Sequence, residues 1–284
     1  MLLHFYFFCL FCTLLILVVS LIQKKMETIL RSLTLLALLQ VICFAIWQGT
    51  LAFTILLSVI LVFSLYELSE HYLTNRILLG LSSIIFFIIA INSDNQYPIE
   101  ISIFSFITVS SIIYFGKPET VKNPFFLFAF SACFLIPGLL FLIKLMSINS
   151  GAIIAIFLLL QLNDAFGYLC GKQFGKTHLF PNISPKKTLE GYLFGGIGII
   201  LGIFLLHTYI PVLSPEPFYK NLIIFVSVMI FGNLGDLLLS SFKRKLDIKD
   251  FSNILPGHGG ILDRFDNSLF ISPFFYILFK YHWI

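Results

Sequence analysis

The sequence predicts an all-helical, polytopic integral membrane protein, and three observations carry the prediction. Hydrophobic residues make up 58% of the chain and charged residues only 11%, against about 25% charged in soluble domains. The apolar residues fall into runs of about 20, the length a bilayer-spanning helix needs. The basic residues gather on alternate breaks between those runs, which is the asymmetry that orients membrane proteins. A mean hydropathy of +0.99 excludes a single water-soluble globule, and 34 Phe exclude a disordered chain. A formal net charge of +4 is too small to imply nucleic acid as a partner.

Taken in order, the spans are expected at 3–22, 32–48, 50–66, 77–92, 99–115, 124–146, 151–170, 191–210, 221–240 and 267–283, nine to ten in all. Polar or turn-forming residues separate them: Gln23-Lys24-Lys25, Glu67 to Arg76, Ser93 to Pro98, Gly116 to Pro124 and Pro211 to Lys220. Two breaks are longer, at 171–190 and 241–266. With the loop holding Lys24, Lys25 and Arg31 placed in the cytoplasm, strict alternation collects fifteen of the 18 basic residues on that side, leaving only Lys144, Lys220 and Lys280 outside. Residues 1–22 lack the positive leading region of a secretory signal and read as an uncleaved span with its N-terminus outside. Starting instead at Met26 leaves nine spans and the same topology. The five cysteines, Cys9, Cys12, Cys43, Cys133 and Cys170, lie in apolar runs without metal or disulfide spacing and read as small buried hydrophobes.

Polar chemistry divides the chain into a scaffold, 1–150, and a catalytic membrane region, 151–284. The acidic residues of the first part, Glu27, Glu67, Glu70, Asp94, Glu100 and Glu119, are all expected to be solvated loop charges. In the second part Asp164 and Asp236 stand inside apolar runs, where an ionisable group costs roughly 2.5–3.5 kcal/mol and ordinarily faces a polar cavity or a partner. Both lie towards the expected cytoplasmic ends of their spans, so they point to one cavity open to that side.

The two long loops follow those spans directly and mix Lys and Arg with Gly, Ser, Pro and acidic residues. Basic groups suit polyphosphate oxygens, and carboxylates suit the divalent cation that accompanies them. Attraction to anionic headgroups explains basic loops in general, but not Asp263 and Asp266 beside a glycine-flanked His258. On a helix beginning near 262 those two Asp share a face and suit Mg²⁺. Gly171-Lys-Gln-Phe-Gly-Lys-Thr177 is one residue short of a phosphate-binding P-loop and follows a span rather than a strand. Gly191, Gly195, Gly198 and Gly202 read as a close helix-packing stripe.

The second loop resembles the phosphatidate cytidylyltransferases, also called CDP-diacylglycerol synthases. The resemblance rests on Ser240, Phe242, Lys243, Arg244, Lys249, Asp250, Ser252, Leu255, Pro256, His258, Gly259, Gly260, Ile261, Asp263, Arg264, Phe265 and Asp266. Asp164, Gly171, Gly175, the run Ser184-Pro-Lys-Lys-Thr188 and Glu190-Gly191 resemble the same family. One departure is Leu239, where many bacterial members carry Glu before the Ser. The resemblance implies transfer of a cytidylyl group from CTP to phosphatidate, with Mg²⁺, a second cation in some arrangements, and a homodimer in the inner membrane of a bacterium, its active-site loops cytoplasmic. It implies Asp236 and Asp263 as metal ligands, with Asp266 as a third ligand or the ligand of a second metal. Asp164 either binds metal or orients the first loop. Lys187, Lys243, Arg244 and Arg264 are implied as phosphate-holding catalytic residues beside Asp164 and Asp263. Ser184, Lys186, Ser240, Lys249, Asp250 and His258 are implied in substrate binding; for Lys186 solvation is an equal reading, and for His258 fixing the Pro256–Gly260 turn. The alternatives are a CTP-dependent lipid kinase, a cytidylyltransferase for another phospholipid, and, from a different class, an ion-coupled transporter. A transporter predicts polar groups in both halves, which this sequence does not show.

Overall fold

The structure is a computed structural model and describes residues 26–71, 107–113, 115–209, 217–255 and 259–283. The expected spans at 3–22 and 77–92 lie outside the described residues, and the one at 99–115 is described only from 107. The chain divides into two compact units, Met1–Asp94 with Asp250–Arg264 and Asn95–Lys249 with Phe265–Ile284.

In the first unit, α1 (Met26–Gln48) and α2 (Thr50–His71) pack together, joined at Gly49, whose φ of 102° takes the turn. The buried stripe of α2 runs through Phe53, Leu57, Ile60, Ser64 and Glu67, one face of a 3.6-residue repeat. Leu51, Ile55, Val59, Val62 and Phe63 are exposed on the remainder, so α2 is apolar all round, as a lipid-embedded helix is.

In the second unit a helical segment over 107–113 precedes α3 (Pro118–Lys122) and α4 (Pro124–Phe130). A π-helical turn (Ser131–Leu135) runs on into α5 (Ile136–Ile148). Then come α6 (Ser150–Phe174), β1 (His178–Phe180), β2 (Ser184–Thr188) and α7 (Leu189–Tyr209). The last elements are α8 (Phe218–Ser227), a second π turn (Val228–Gly232), α9 (Asn233–Lys245) and, continuing into this unit, α10 (Leu262–Lys280). In the core the buried Phe130 stacks on Phe134 at 5.0 Å and meets Phe242 at a tilt at 4.8 Å, while the half-buried Phe231 and Phe274 stack at 3.7 Å. Pro273 inside α10 withholds the N–H that would reach the Leu269 carbonyl. The Ser272 hydroxyl donates there instead at 3.0 Å, and it stands 2.8 Å from the Gly138 carbonyl, the repair expected where no water can serve.

Five helical stretches among the described residues are long and apolar enough to cross a bilayer: Thr50–His71, Phe125–Ile148, Ser150–Phe174, Leu189–Thr208 and Phe218–Lys245. Each falls on an expected span. Three run well past the expected ends, to His71, Phe174 and Lys245, because basic side chains in a last helical turn complement the helix dipole rather than stop the helix. The expected loop at 171–190 holds a small antiparallel hairpin, with His178 paired to Thr188 and Phe180 to Ser184 across a bulge. Its second strand, Ser-Pro-Lys-Lys-Thr, has no alternating apolar pattern to announce it.

Candidate active site

The glycine stripe of α7 packs closely on α6 in the second unit. A Cβ at Gly195 of α7 would lie 2.5 Å from Asn163 Oδ1 on α6, so only glycine lets the two helices approach there. The P-loop likeness dissolves in the same region. Gly171–Phe174 is helical, and the amides of Lys176 and Thr177 donate to Glu190 Oε2 at 3.1 and 3.2 Å.

A cavity of about 620 Å³ opens between α6, the hairpin, α7 and α9. Tyr168, Phe180, Tyr192, Ile230, Leu234 and Leu237 form much of its wall. At its polar side Lys187 Nζ, from β2, lies 2.8 Å from Asp236 Oδ2, on α9, with 25% and 32% of the two side chains exposed. Ser240, one turn on, donates to Asp236 Oδ1 at 3.1 Å. Asp164, Ser184 and Lys186 line the same space. The π turn before α9 leaves the Met229 carbonyl to two side chains of the wall, the Tyr192 hydroxyl and Asn233 Nδ2, both at 2.9 Å, and such turns concentrate at functional sites.

Amides hold two of the carboxylates, Asp164 at the wall and Asp266 behind it. Asp164 Oδ2 accepts from Asn267 Nδ2 at 3.0 Å and Oδ1 from Asn163 Nδ2 at 3.3 Å. Asp266 is buried and accepts from the Asn267 backbone N–H at 2.8 Å. Asp164, Asp236 and Asp266 lie within electrostatic reach of one another, and the buried Lys243 faces Asp236 and Asp266. Three carboxyl groups and the ammonium groups of Lys187 and Lys243 thus share this region, and a bound cation would favour the ionised carboxylates.

Among the described residues no three His, Cys, Asp or Glu side chains gather closely enough to hold a metal ion by themselves. Mg²⁺ typically keeps several waters and takes one or two carboxylates together with substrate phosphates. That hard-oxygen pattern fits Asp164 and Asp236 at the wall, with the buried Asn267 Oδ1, which has no hydrogen-bond partner.

The other sequence-derived candidates have their own surroundings within each unit. Arg244, exposed at the end of α9, donates to the carbonyls of Ile183 at 3.4 Å and Ile248 at 3.0 Å, bracing the hairpin turn. Lys249 is exposed. In the first unit Asp250 and Arg264 are exposed, and Asp263 is buried with its Oδ2 accepting from the Phe251 and Gly260 backbone N–H groups, both at 3.0 Å. Helix α10 begins at Leu262, so Asp263 and Asp266 occupy i and i+3 positions on it. His258 lies outside the described residues.

The sequence reading passed over Asn163, Asn233 and Asn267, whose signal was an amide side chain at membrane depth next to, or one turn from, a singled-out Asp. Its expectation for Glu67 is overturned: the side chain is 0% exposed and hydrogen-bonded throughout. It lies in the buried stripe of α2 because three backbone and hydroxyl donors meet it there.

Comparison with known proteins agrees with the motif pattern. The model of the cytidylyltransferase family matches residues 29–282. A Bacillus subtilis protein named phosphatidate cytidylyltransferase is 50% identical over 115 residues, 40% of this chain and 42% of that protein. Its namesake from Aquifex aeolicus is 36% identical over 166 residues, 58% of this chain and 61% of that protein. A third, from Staphylococcus aureus, is 42% identical over 145 residues, 50% and 54% of the two chains. The matched segments thus span 42% to 61% of these relatives. With the family model covering nearly its whole length, this chain belongs to the cytidylyltransferase family.

Proposed function

We propose that the chain transfers a cytidylyl group from CTP to phosphatidate, forming CDP-diacylglycerol and releasing pyrophosphate. A phosphatidate phosphate oxygen attacks the α-phosphorus of CTP, and the bond to the pyrophosphate oxygen breaks in line. The attacking phosphate is already anionic, so no general base is required. Such a transfer depends on positioning and charge neutralisation more than on covalent help.

The observation that carries this reading is the Lys187–Asp236 pair at the polar side of a largely apolar cavity, an arrangement suited to a lipid that bears a phosphate. Lys187 and Lys186 hold phosphate oxygens at that wall, and Lys243 offsets the charge of Asp236 and Asp266 behind it. Asp236 and Asp164, with Asn267 Oδ1, would hold Mg²⁺, which would neutralise charge on the phosphates when bound. Asn163 and Asn267 fix the carboxylate of Asp164. The excess of Lys and Arg on alternate breaks supports a cytoplasmic site, where CTP is made, and bacterial relatives support a bacterial inner membrane.

The test is CTP-dependent lipid synthesis by purified chain in bilayer nanodiscs, with product identified by mass. CDP-diacylglycerol that forms only when phosphatidate is supplied is the expected result. A cytidylylated product from a different phospholipid, or none from folded protein, would overturn the substrate assignment.

A further inference from the structure

Two residues of the expected scaffold reach the most information-rich loop of the sequence. Glu67, near the end of α2, is wholly buried, and a carboxylate in that position is tolerable only when hydrogen-bonded. Its Oε1 accepts from Ser252 Oγ and from the Ile261 backbone N–H, both at 2.7 Å, and its Oε2 accepts from the Leu262 N–H at 3.1 Å. Leu262 opens α10, so the carboxylate takes up amides a helix start leaves unpaired and sits at the positive end of its dipole. One turn along α2, His71 Nε2 lies 2.7 Å from the Phe251 carbonyl. A carbonyl only accepts, so Nε2 carries the proton and donates.

The two side chains therefore tie both ends of one loop, Phe251-Ser252 at its start and Ile261-Leu262 at its finish. Asp263 braces the same loop from within, through the Phe251 and Gly260 amides. The backbone is shaped for this contact: Gly259 has φ +81°, and a Cβ on Gly260 would lie 2.7 Å from Glu67 Oε2.

From this geometry we infer that Glu67 and His71 are positioning residues for the proposed reaction, fixing the two described ends of the 250–264 loop, which carries Arg264, the phosphate-holding residue that the family resemblance implies. The role rests on the cytidylyltransferase reading. It has a consequence for ligand binding. Because Glu67 occupies the Ile261 and Leu262 amides, a phosphate must be met here by side chains rather than by the helix N-terminus.

The test uses the full chain in nanodiscs with Glu67→Gln and His71→Ala. Gln keeps the size of Glu but turns an NH₂ towards donors, so amide exchange at Ile261 and Leu262 should accelerate about tenfold and KM for CTP should rise about tenfold. His71→Ala removes one donor at an exposed position, and KM for CTP should rise about threefold. A loss of stability alone would lower the active fraction and kcat while leaving KM unchanged, so KM separates the two roles. Unchanged exchange at Ile261 and Leu262, or native KM in both variants, overturns the inference. Should Glu67→Gln fail to fold, His71→Ala decides. Should the native chain make no cytidylylated lipid, the functional reading fails, and the exchange measurement still decides whether the clamp exists.

Discussion

Replacing Lys187 with Ala removes the cation from the wall of the proposed site while leaving the cavity. Its ammonium lies 2.8 Å from Asp236, and 25% and 32% of the two side chains are exposed. Breaking a fully buried pair costs about 3–5 kcal/mol, and a solvent-exposed pair contributes at most about 1 kcal/mol. This half-buried pair, with Lys243 also facing Asp236, should therefore cost about 1–2 kcal/mol of stability. The catalytic cost is larger. A preorganised contact to charge developing on a transferring phosphoryl group is worth about 2.7–4 kcal/mol, or roughly 10²–10³ in rate. Lys187→Ala should thus stay folded but lose roughly 10²–10³ in kcat/KM for CTP, measured as lipid product in nanodiscs beside a thermal unfolding curve. A folded variant within about threefold of native kcat/KM would refute a phosphate-holding role for Lys187.

Three other outcomes follow from the same geometry. Asn267→Leu removes the donor to Asp164 and should lower activity about tenfold through one lost charge-assisted hydrogen bond, with the protein still folded. Gly195→Val places atoms where Asn163 Oδ1 stands 2.5 Å from the Cβ position; it should cost about 1–3 kcal/mol of stability, seen as a lower unfolding temperature with reduced activity. Chelation of divalent cations should abolish lipid product, and added Mg²⁺ should restore it; full activity in chelator would remove the metal from the mechanism.

Much of the fold was legible because a bilayer demands long apolar runs with their polar groups satisfied internally. The runs at 50–66, 151–170 and 191–210 became α2, α6 and α7. Asp164 and Asp236 were legible for the same reason, since each interrupts an apolar run. The hairpin was not, because Pro185-Lys-Lys carries no period, and the Glu190 carboxylate that gathers the Lys176 and Thr177 amides at its base is distant from them in sequence. Glu67 was misread because a carboxylate at the end of an apolar run looks solvated. Its place one turn beyond Ser64 on the buried stripe, with His71 one turn further, was the available signal. The amides Asn163 and Asn267 carry no charge, and their importance depends on which carboxylate they meet.

The central claim is that the lipid receives a cytidylyl group, and the fate of the label tests it most directly. Native protein in phosphatidate-containing nanodiscs would be given CTP labelled at either the α- or the γ-phosphorus. The account predicts α-label in the lipid and γ-label in released pyrophosphate. Label from the γ-position in the lipid would mean phosphoryl transfer by a CTP-dependent lipid kinase, and would contradict it.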